Sequence, residues 1–296
     1  MTEPITDATP ITTPDGRRLD VYVAGPADGE TLVFIPGTPS AGIPYPALVE
    51  AAAARGLRSV SWTRPGYGSS TRLPGRNVAA VVPDTVTVLD HVGVESCHAI
   101  GWSGGGPHVL AVAALLPERV RAVATIGGVA PYPAEGLDWT AGMGAENVEE
   151  FGHTLQGPEA LLPLMEPNRQ QIMNVTADEV IAAFGDLIDH VDADSLSGEF
   201  AEWVASLFRE SVREGYWGWF DDDLAFVEPW GFDLASIRVP VHVWQGRHDR
   251  MVPFAHGEWL AAHIPTASPH LSDDHGHLTL ICDALPEILD ELIRTR

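Results

Sequence analysis

Short apolar runs alternate with amphipathic stretches through roughly the first 130 residues. Arg17 to Val23 has the alternation of an early strand. Thr31 to Ile35 is an apolar run stopped by Pro36-Gly37, and Leu57 to Trp62, Ser96 to Trp102 and Val120 to Ile126 are three further strand-like runs. Between them, Tyr45 to Ala54, Asn77 to His91 (interrupted by Pro83) and Gly105 to Leu116 have the spacing of helices. Apolar runs this short, separated by helices, predict parallel strands buried on both faces. From about Pro131 to Asp233 strand signals nearly vanish, and Glu159 to Met165, Ala177 to Val191 and Gly198 to Arg213 read as helices broken by Pro, Gly and Asp. The α/β rhythm then returns, with Val239 to Trp244 and Ser268 to Leu271 as strands and Ala255 to His263 and Leu278 to Arg294 as helices. The simplest organisation is one α/β core, residues 1–130 and 234–296, interrupted by a helical insertion over 131–233.

Composition narrows the class. The 296 residues are 45% hydrophobic and 20% charged, the make-up of a soluble globular protein with enough chain for a large core. No run approaches the ~20 apolar residues of a membrane span. The N-terminus, Met1 to Pro10, lacks the basic-then-apolar pattern of a secretory leader, so a cytoplasmic location is expected. A net charge of −24 repels phosphate backbones and anionic bilayers, which argues against nucleic-acid and membrane partners and leaves a small, apolar or neutral substrate as the expected one. Cys97 and Cys282 are too few for a disulfide framework and read as small buried side chains. Nothing in the pattern sets the oligomeric state.

Candidate chemistry begins at Gly101-Trp102-Ser103-Gly104-Gly105, a G-x-S-x-G pentapeptide entered by the apolar run Ala99-Ile100 and followed by a helix-compatible stretch. A strand-to-helix turn this sharp strains its central residue and needs small neighbours on either side. It presents the Ser103 hydroxyl, and the Gly104 backbone N–H lies where an oxyanion would develop. This context resembles the α/β-hydrolase family, and two other stretches carry the likeness. Pro36-Gly37-Thr38-Pro39 resembles the family's His-Gly-x-Pro loop, with Pro36 in place of His. It implies the Thr38 backbone N–H as second oxyanion donor. Arg64-Pro65-Gly66-Tyr67-Gly68-Ser69-Ser70 resembles the D-x-x-G-x-G-x-S turn, with Arg64 in place of the acid. The resemblance covers about 200 residues. It implies a mostly parallel sheet of about eight strands flanked by helices, with a helical cap after the sixth strand.

A serine hydroxyl needs a base within reach, and the base needs an orienting acid; in this fold the chain order is Ser, acid, His. Gly246-Arg247-His248-Asp249-Arg250-Met251-Val252-Pro253 resembles the family's G-x-x-D-x-x-V-P loop, implying Asp249 as the acid. The other loop that supplies it in some members, here Gly127-Gly128-Val129-Ala130, has none. Gly276-His277 resembles the Gly-His pair before the last helix and implies His277 as base, with His275 the competitor. Asp273, Asp274, His275 and His277 also resemble a zinc cluster, but no third histidine is suggested nearby. His248 reads as a loop residue, and His98, His108, His256 and His263 as core or helix-surface histidines.

The insertion, by the same resemblance, caps the site and sets specificity. Its aromatic cluster Tyr216-Trp217-Gly218-Trp219-Phe220 offers Trp217 and Trp219 to the pocket or to the cap's own packing, and Trp102 lies beside the nucleophile. The expected activity is hydrolysis of a carboxylic ester or related acyl compound through Ser103, His277 and Asp249, with no metal or organic cofactor. The form Gly-x-Ser-Gly-Gly-Gly-Pro is also similar to the proline iminopeptidases, which hold a free amine with cap acids. Glu149, Glu150, Glu202 and Glu210 are available for that. C–C bond hydrolysis of diketones uses the same triad, and a ligand-binding protein on the same fold is the non-enzymatic alternative.

Overall fold

The computed structural model describes residues 8–294. Met1 to Asp7, most of the polar N-terminal stretch, and the last two residues lie outside them. Among the described residues there are eight strands: β1 (Thr9–Thr12), β2 (Arg18–Ala24), β3 (Glu30–Ile35), β4 (Leu57–Trp62), β5 (Cys97–Trp102), β6 (Val120–Ile126), β7 (Val241–Gly246) and β8 (Ala267–Ser272). They form one sheet in the order β1-β2-β4-β3-β5-β6-β7-β8, antiparallel only across β1–β2 and β2–β4. Four positions on β3 explain why such strands carry apolar runs. Val33 and Ile35 pack into the core on one face, Leu32 and Phe34 into the core on the other.

Among the described residues twelve α-helices accompany the sheet. In the first part of the chain α1 (Pro46–Ala53), α2 (Val81–His91) and α3 (Gly105–Leu115) connect its strands. Six follow β6: α4 (Ala145–Thr154), α5 (Pro158–Ile172), α6 (Ala177–Phe184), α7 (His190–Ala193), α8 (Gly198–Ser211) and α9 (Trp217–Val227). The last three are α10 (Phe254–His263), α11 (His277–Asp283) and α12 (Leu285–Arg294). Among the described residues no helix is long and apolar enough to cross a membrane.

Several boundaries differ from the sequence reading for identifiable reasons. Pro83 does not interrupt α2, because it falls in the first turn, where no intrahelical N–H is required. Pro163 and Pro167 likewise do not end α5, which runs for 15 residues; four residues apart, they fall on one helix face and line the cavity described below. The closing helix is two, broken at Ala284 with Pro286 in the first turn of the second. Ala177 to Val191 is likewise divided, at Gly185. Strand β1 was not anticipated. It has four residues, one of them Pro10, on the sheet edge where proline is tolerated. Helices α4 and α9 were also not anticipated.

Candidate functional site

Strands that run parallel leave their carboxyl ends along one edge, and the loops there gather the residues of interest. Thr38 follows β3, Ser103 follows β5, Asp249 follows β7 and His277 opens α11 after β8. Ser103 is the one non-glycine residue with positive φ among those described, at +54°, a strained conformation in which the surrounding chain holds it. The glycines around it are required by contact. A Cβ on Gly101 would run into the Gly105 carbonyl, one on Gly105 into the Ile35 carbonyl, and one on Gly104 into the Thr38 side chain. Thr38 and Gly104 are therefore packed directly against each other.

His277 is buried, and its Nδ1 lies 2.7 Å from Asp249 Oδ2. Asp249, also buried, accepts from the backbone N–H groups of Met251 (2.9 Å) and Val252 (2.7 Å) and from Gln245 Nε2 (2.9 Å). With those donors on Asp249, its Oδ2 faces His277 Nδ1 as an acceptor, so the ring proton lies on Nδ1 and the lone pair on Nε2. Nε2 is buried and makes no hydrogen bond. Burial pulls the imidazole down, but the charge and hydrogen bond of Asp249, and the charge of Asp192, outweigh it, so His277 sits above the ordinary histidine value. The loop after β6 passes alongside: Gly127 has φ +57° and a Cβ there would lie 2.9 Å from His277 Nδ1.

Ser103, His277, Thr38 and Gly104 line one cavity of about 500 Å³. Trp102 and Trp219 line it too. Trp217 does not: it lies under the Arg72 guanidinium, 3.9 Å from ring centre to Cζ, so the cluster 216–220 is split between the pocket and the cap's packing. His275 bonds Ser272 Oγ at 2.6 Å and is not part of the cavity, so His277 is the histidine that reaches it. Asp273 is exposed and paired with Arg247, so the acids beside His277 do not converge on it. His256 and His108 are buried structural groups, His263 is exposed against Trp259, and Cys282 is half-buried rather than buried.

The helices between β6 and β7 form the far wall of the cavity. Helix α4 brings Glu146, Glu149 and Glu150, α5 brings Asn168, and α9 brings Trp219 and Asp223. Glu202 and Glu210 are elsewhere. Glu150 accepts from Trp219 Nε1 (3.0 Å) and Asn168 Nδ2 (3.3 Å), while Asp223 Oδ2 is buried with no hydrogen bond. Burial raises Glu150 to about 7, and burial together with the neighbouring Glu150 charge raises Asp223 well above the usual carboxyl range. The pair therefore retains a proton near neutrality. No Arg lines the cavity and the chain has no Lys.

Sequence reasoning missed Asp222, the residue that supports the Thr38 loop. It is fully buried on α9 and accepts from Arg64 (2.6 Å), Tyr67 Oη (2.7 Å), Thr38 Oγ1 (2.9 Å), Arg76 and His108 (3.1 Å). Burial alone would raise it, but Arg64 and Arg76 hold it well below the carboxyl range. Arg64 also donates to the carbonyls of Pro36 (2.5 Å) and Gly37 (2.7 Å). The only sequence hint was the departure itself: Arg64 stands where the family turn carries an acid, and the acid comes from the insertion.

A family model described as the alpha/beta hydrolase fold matches residues 30–164. A 2-hydroxymuconate semialdehyde hydrolase of Pseudomonas putida is 29% identical over 218 residues, 73% of this chain and 69% of the relative. A 2-hydroxy-6-oxononadienedioate/2-hydroxy-6-oxononatrienedioate hydrolase of Cupriavidus pinatubonensis is 28% identical over 85% of this chain and 81% of its own. Among solved structures, a hydrolase from Pseudomonas aeruginosa superposes with a TM-score of 0.70 at 20% identity over 97% of this chain and 98% of that one. The enol-lactonase of Burkholderia xenovorans gives 0.68 at 16% over 97% and 100%.

Proposed function

We propose, on the footing of its alpha/beta-hydrolase fold, that this chain is a serine hydrolase of small neutral or cationic acyl compounds, carboxylic esters first among them. One observation carries the reading. His277 has Nδ1 committed to Asp249 and a buried, unbonded Nε2, on a cavity that also holds a serine in a strained turn. That is the preparation a general base needs, and the bond from hydroxyl to base commonly tightens only once substrate is bound.

In this reading Ser103 Oγ attacks the acyl carbon as His277 Nε2 takes its proton, and Asp249 stabilises the resulting imidazolium. The backbone N–H groups of Gly104 and Thr38 receive the oxyanion, one such donor being worth about 10²–10³ in rate. The imidazolium then protonates the departing alcohol. Water, deprotonated by His277, attacks the acyl-enzyme and releases the acid and the free serine. The helices within 131–233 act as the cap over a core of 1–130 and 234–296.

The charge of the cavity supports the substrate class. Its wall carries Glu146, Glu149 and the Glu150–Asp223 pair, which retains a proton, and among the described lining residues the one cationic side chain is His277 when protonated. A dicarboxylate such as the one in the Cupriavidus relative's name would enter against that field. C–C cleavage of an uncharged diketone remains a second reading, favoured by the names of the sequence relatives. An aminopeptidase-like reading is favoured by the Glu150–Asp223 pair, placed to receive an ammonium group. Turnover of a short nitrophenyl ester, a prolyl amide and a ring-fission diketone by wild type and Ser103→Ala tests all three. Ester hydrolysis lost in the folded variant is expected, as is labelling of the wild type by a fluorophosphonate at Ser103. Undiminished ester turnover by Ser103→Ala would remove the proposal.

A further inference from the structure

Helix α11 begins at His277, and the residue before it, Gly276, has no side chain with which to cap it. The first N–H groups of a helix have no intrahelical partner and must find one. Here a single carboxylate from 85 residues away supplies it. Asp192, fully buried on α7, accepts from the backbone N–H of His277 (2.7 Å, Oδ2), and through Oδ1 from the N–H groups of Leu278 (2.9 Å) and Thr279 (2.9 Å) and from Thr279 Oγ1 (3.0 Å). Thr279 Oγ1 closes the junction by accepting from Gly276 N at 2.7 Å. A Cβ on Gly276 would lie 2.5 Å from the Asp192 carboxyl carbon and from each of its oxygens, so glycine is what lets the carboxylate reach the helix. Asp192 therefore belongs to the inserted helices yet bonds to the backbone of the histidine itself.

We propose that Asp192 is a positioning residue for His277, through which the seating of the inserted helices and the placement of the base become one equilibrium. The inference rests on the assignment of His277 as base. When the segment around α7 is seated, the His277 backbone is held by a charge-assisted bond and its ring meets Asp249. When the segment lifts, three backbone N–H donors in the first turn of α11 lose their shared carboxylate at once, and the imidazole is freed to leave the line to Ser103. The carboxylate acts electrostatically as well. The groups that act on the His277 ring are Asp249, from the loop after β7, and Asp192, from α7. Glu150 and Asp223 line the same cavity from α4 and α9. Asp192 in turn faces His277 and Asp249. Its negative charge offsets the positive end of α11 and favours the imidazolium.

The test compares Asp192→Ala, Asp192→Asn, Leu196→Ala and His277→Ala on a nitrophenyl ester across pH. Leu196 is buried in the same segment and bonds to nothing in the site, so its truncation loosens the segment without touching His277. For Asp192→Ala, kcat is expected to fall about 10- to 100-fold, the cost of a misplaced group, with KM changed less than about two-fold. The acid limb of kcat/KM should move to lower pH. Asp192→Asn should shift the limb the same way with a smaller fall in kcat, and stands in if the alanine variant does not fold. Leu196→Ala should lower the melting temperature and, through the unseated fraction, lower kcat less than Asp192→Ala does, while leaving the limb in place because the Asp192 carboxylate is kept. A wild-type acid limb in both Asp192 variants, with kcat no lower than in Leu196→Ala, would overturn the proposal while leaving the base assignment intact. Wild-type turnover by His277→Ala would instead overturn the assignment.

Discussion

Asp221 and Asp222 are neighbours on α9, and removing each carboxylate should have very different consequences. Asp222 pairs with Arg64 and Arg76, whose side chains are 1% and 3% exposed. Truncation to alanine strands two guanidinium groups away from water, and also removes the acceptor of Tyr67 and Thr38. Breaking a buried pair in this way typically costs about 3–5 kcal/mol, a large part of the ~5–15 kcal/mol by which a domain is stable. Asp221, itself buried, pairs with Arg72, which is 29% exposed, reaches water and retains its stacking on Trp217 when the carboxylate is gone; no charge is stranded, so the cost is closer to the ~0.2–1 kcal/mol of an exposed pair than to that of a broken buried one. Urea unfolding followed by tryptophan fluorescence reads both, with the midpoint change converted at constant slope. Asp222→Ala should lose several times more stability than Asp221→Ala. The folded fraction should also lose the proposed ester turnover, because Arg64 and Thr38 hold the loop whose N–H is proposed to receive the oxyanion. Equal midpoint shifts for the two variants would refute the assignment of Asp222 as the compensating charge for two buried arginines.

Two pH effects follow from the same electrostatics. His277 sits above the usual histidine value, so kcat/KM should fall on acidification with its midpoint above pH 6.5, and the Ser103 labelling rate should follow the same limb; a limb well below 6.5 would contradict the environment assigned to the ring. Glu150 is raised in the folded state from 4.5 to about 7, so its contribution to stability is fully present below about pH 4.5 and is lost as pH rises through about 7. Thermal melts of wild type should therefore decline over that window, and Glu150→Gln should flatten the decline; an unchanged slope in the variant would show that Glu150 is not the titrating group.

The core strands were legible because each is an apolar run of the right length bounded by Gly or Pro. Val120–Ile126 matches its strand to the residue, and Leu57–Trp62 does too. Periodicity failed where position within a helix mattered more than composition: Pro83 in a first turn is harmless, and Pro163 and Pro167 are accommodated inside a 15-residue helix on the face that lines the cavity. The aromatic cluster 216–220 was legible as binding or packing surface but not as both. A helix turns Trp217 and Trp219 to different sides, and only the neighbours decide which side is the pocket.

The same division runs through the acids. From the sequence alone come the strained serine turn and the parallel sheet whose loops bring Ser103, Asp249 and His277 to one edge, since each depends on local geometry or chain direction. The tertiary structure decided the rest. Asp221, Asp222 and Asp223 are three identical residues in a row. One, itself buried, pairs with the partly exposed Arg72, one compensates two buried arginines beneath the Thr38 loop, and one faces the cavity beside Glu150. Asp192 reaches the base from 85 residues away. A carboxylate's role is set by the dielectric and the charges around it, and those are supplied by partners that no stretch of neighbouring sequence contains.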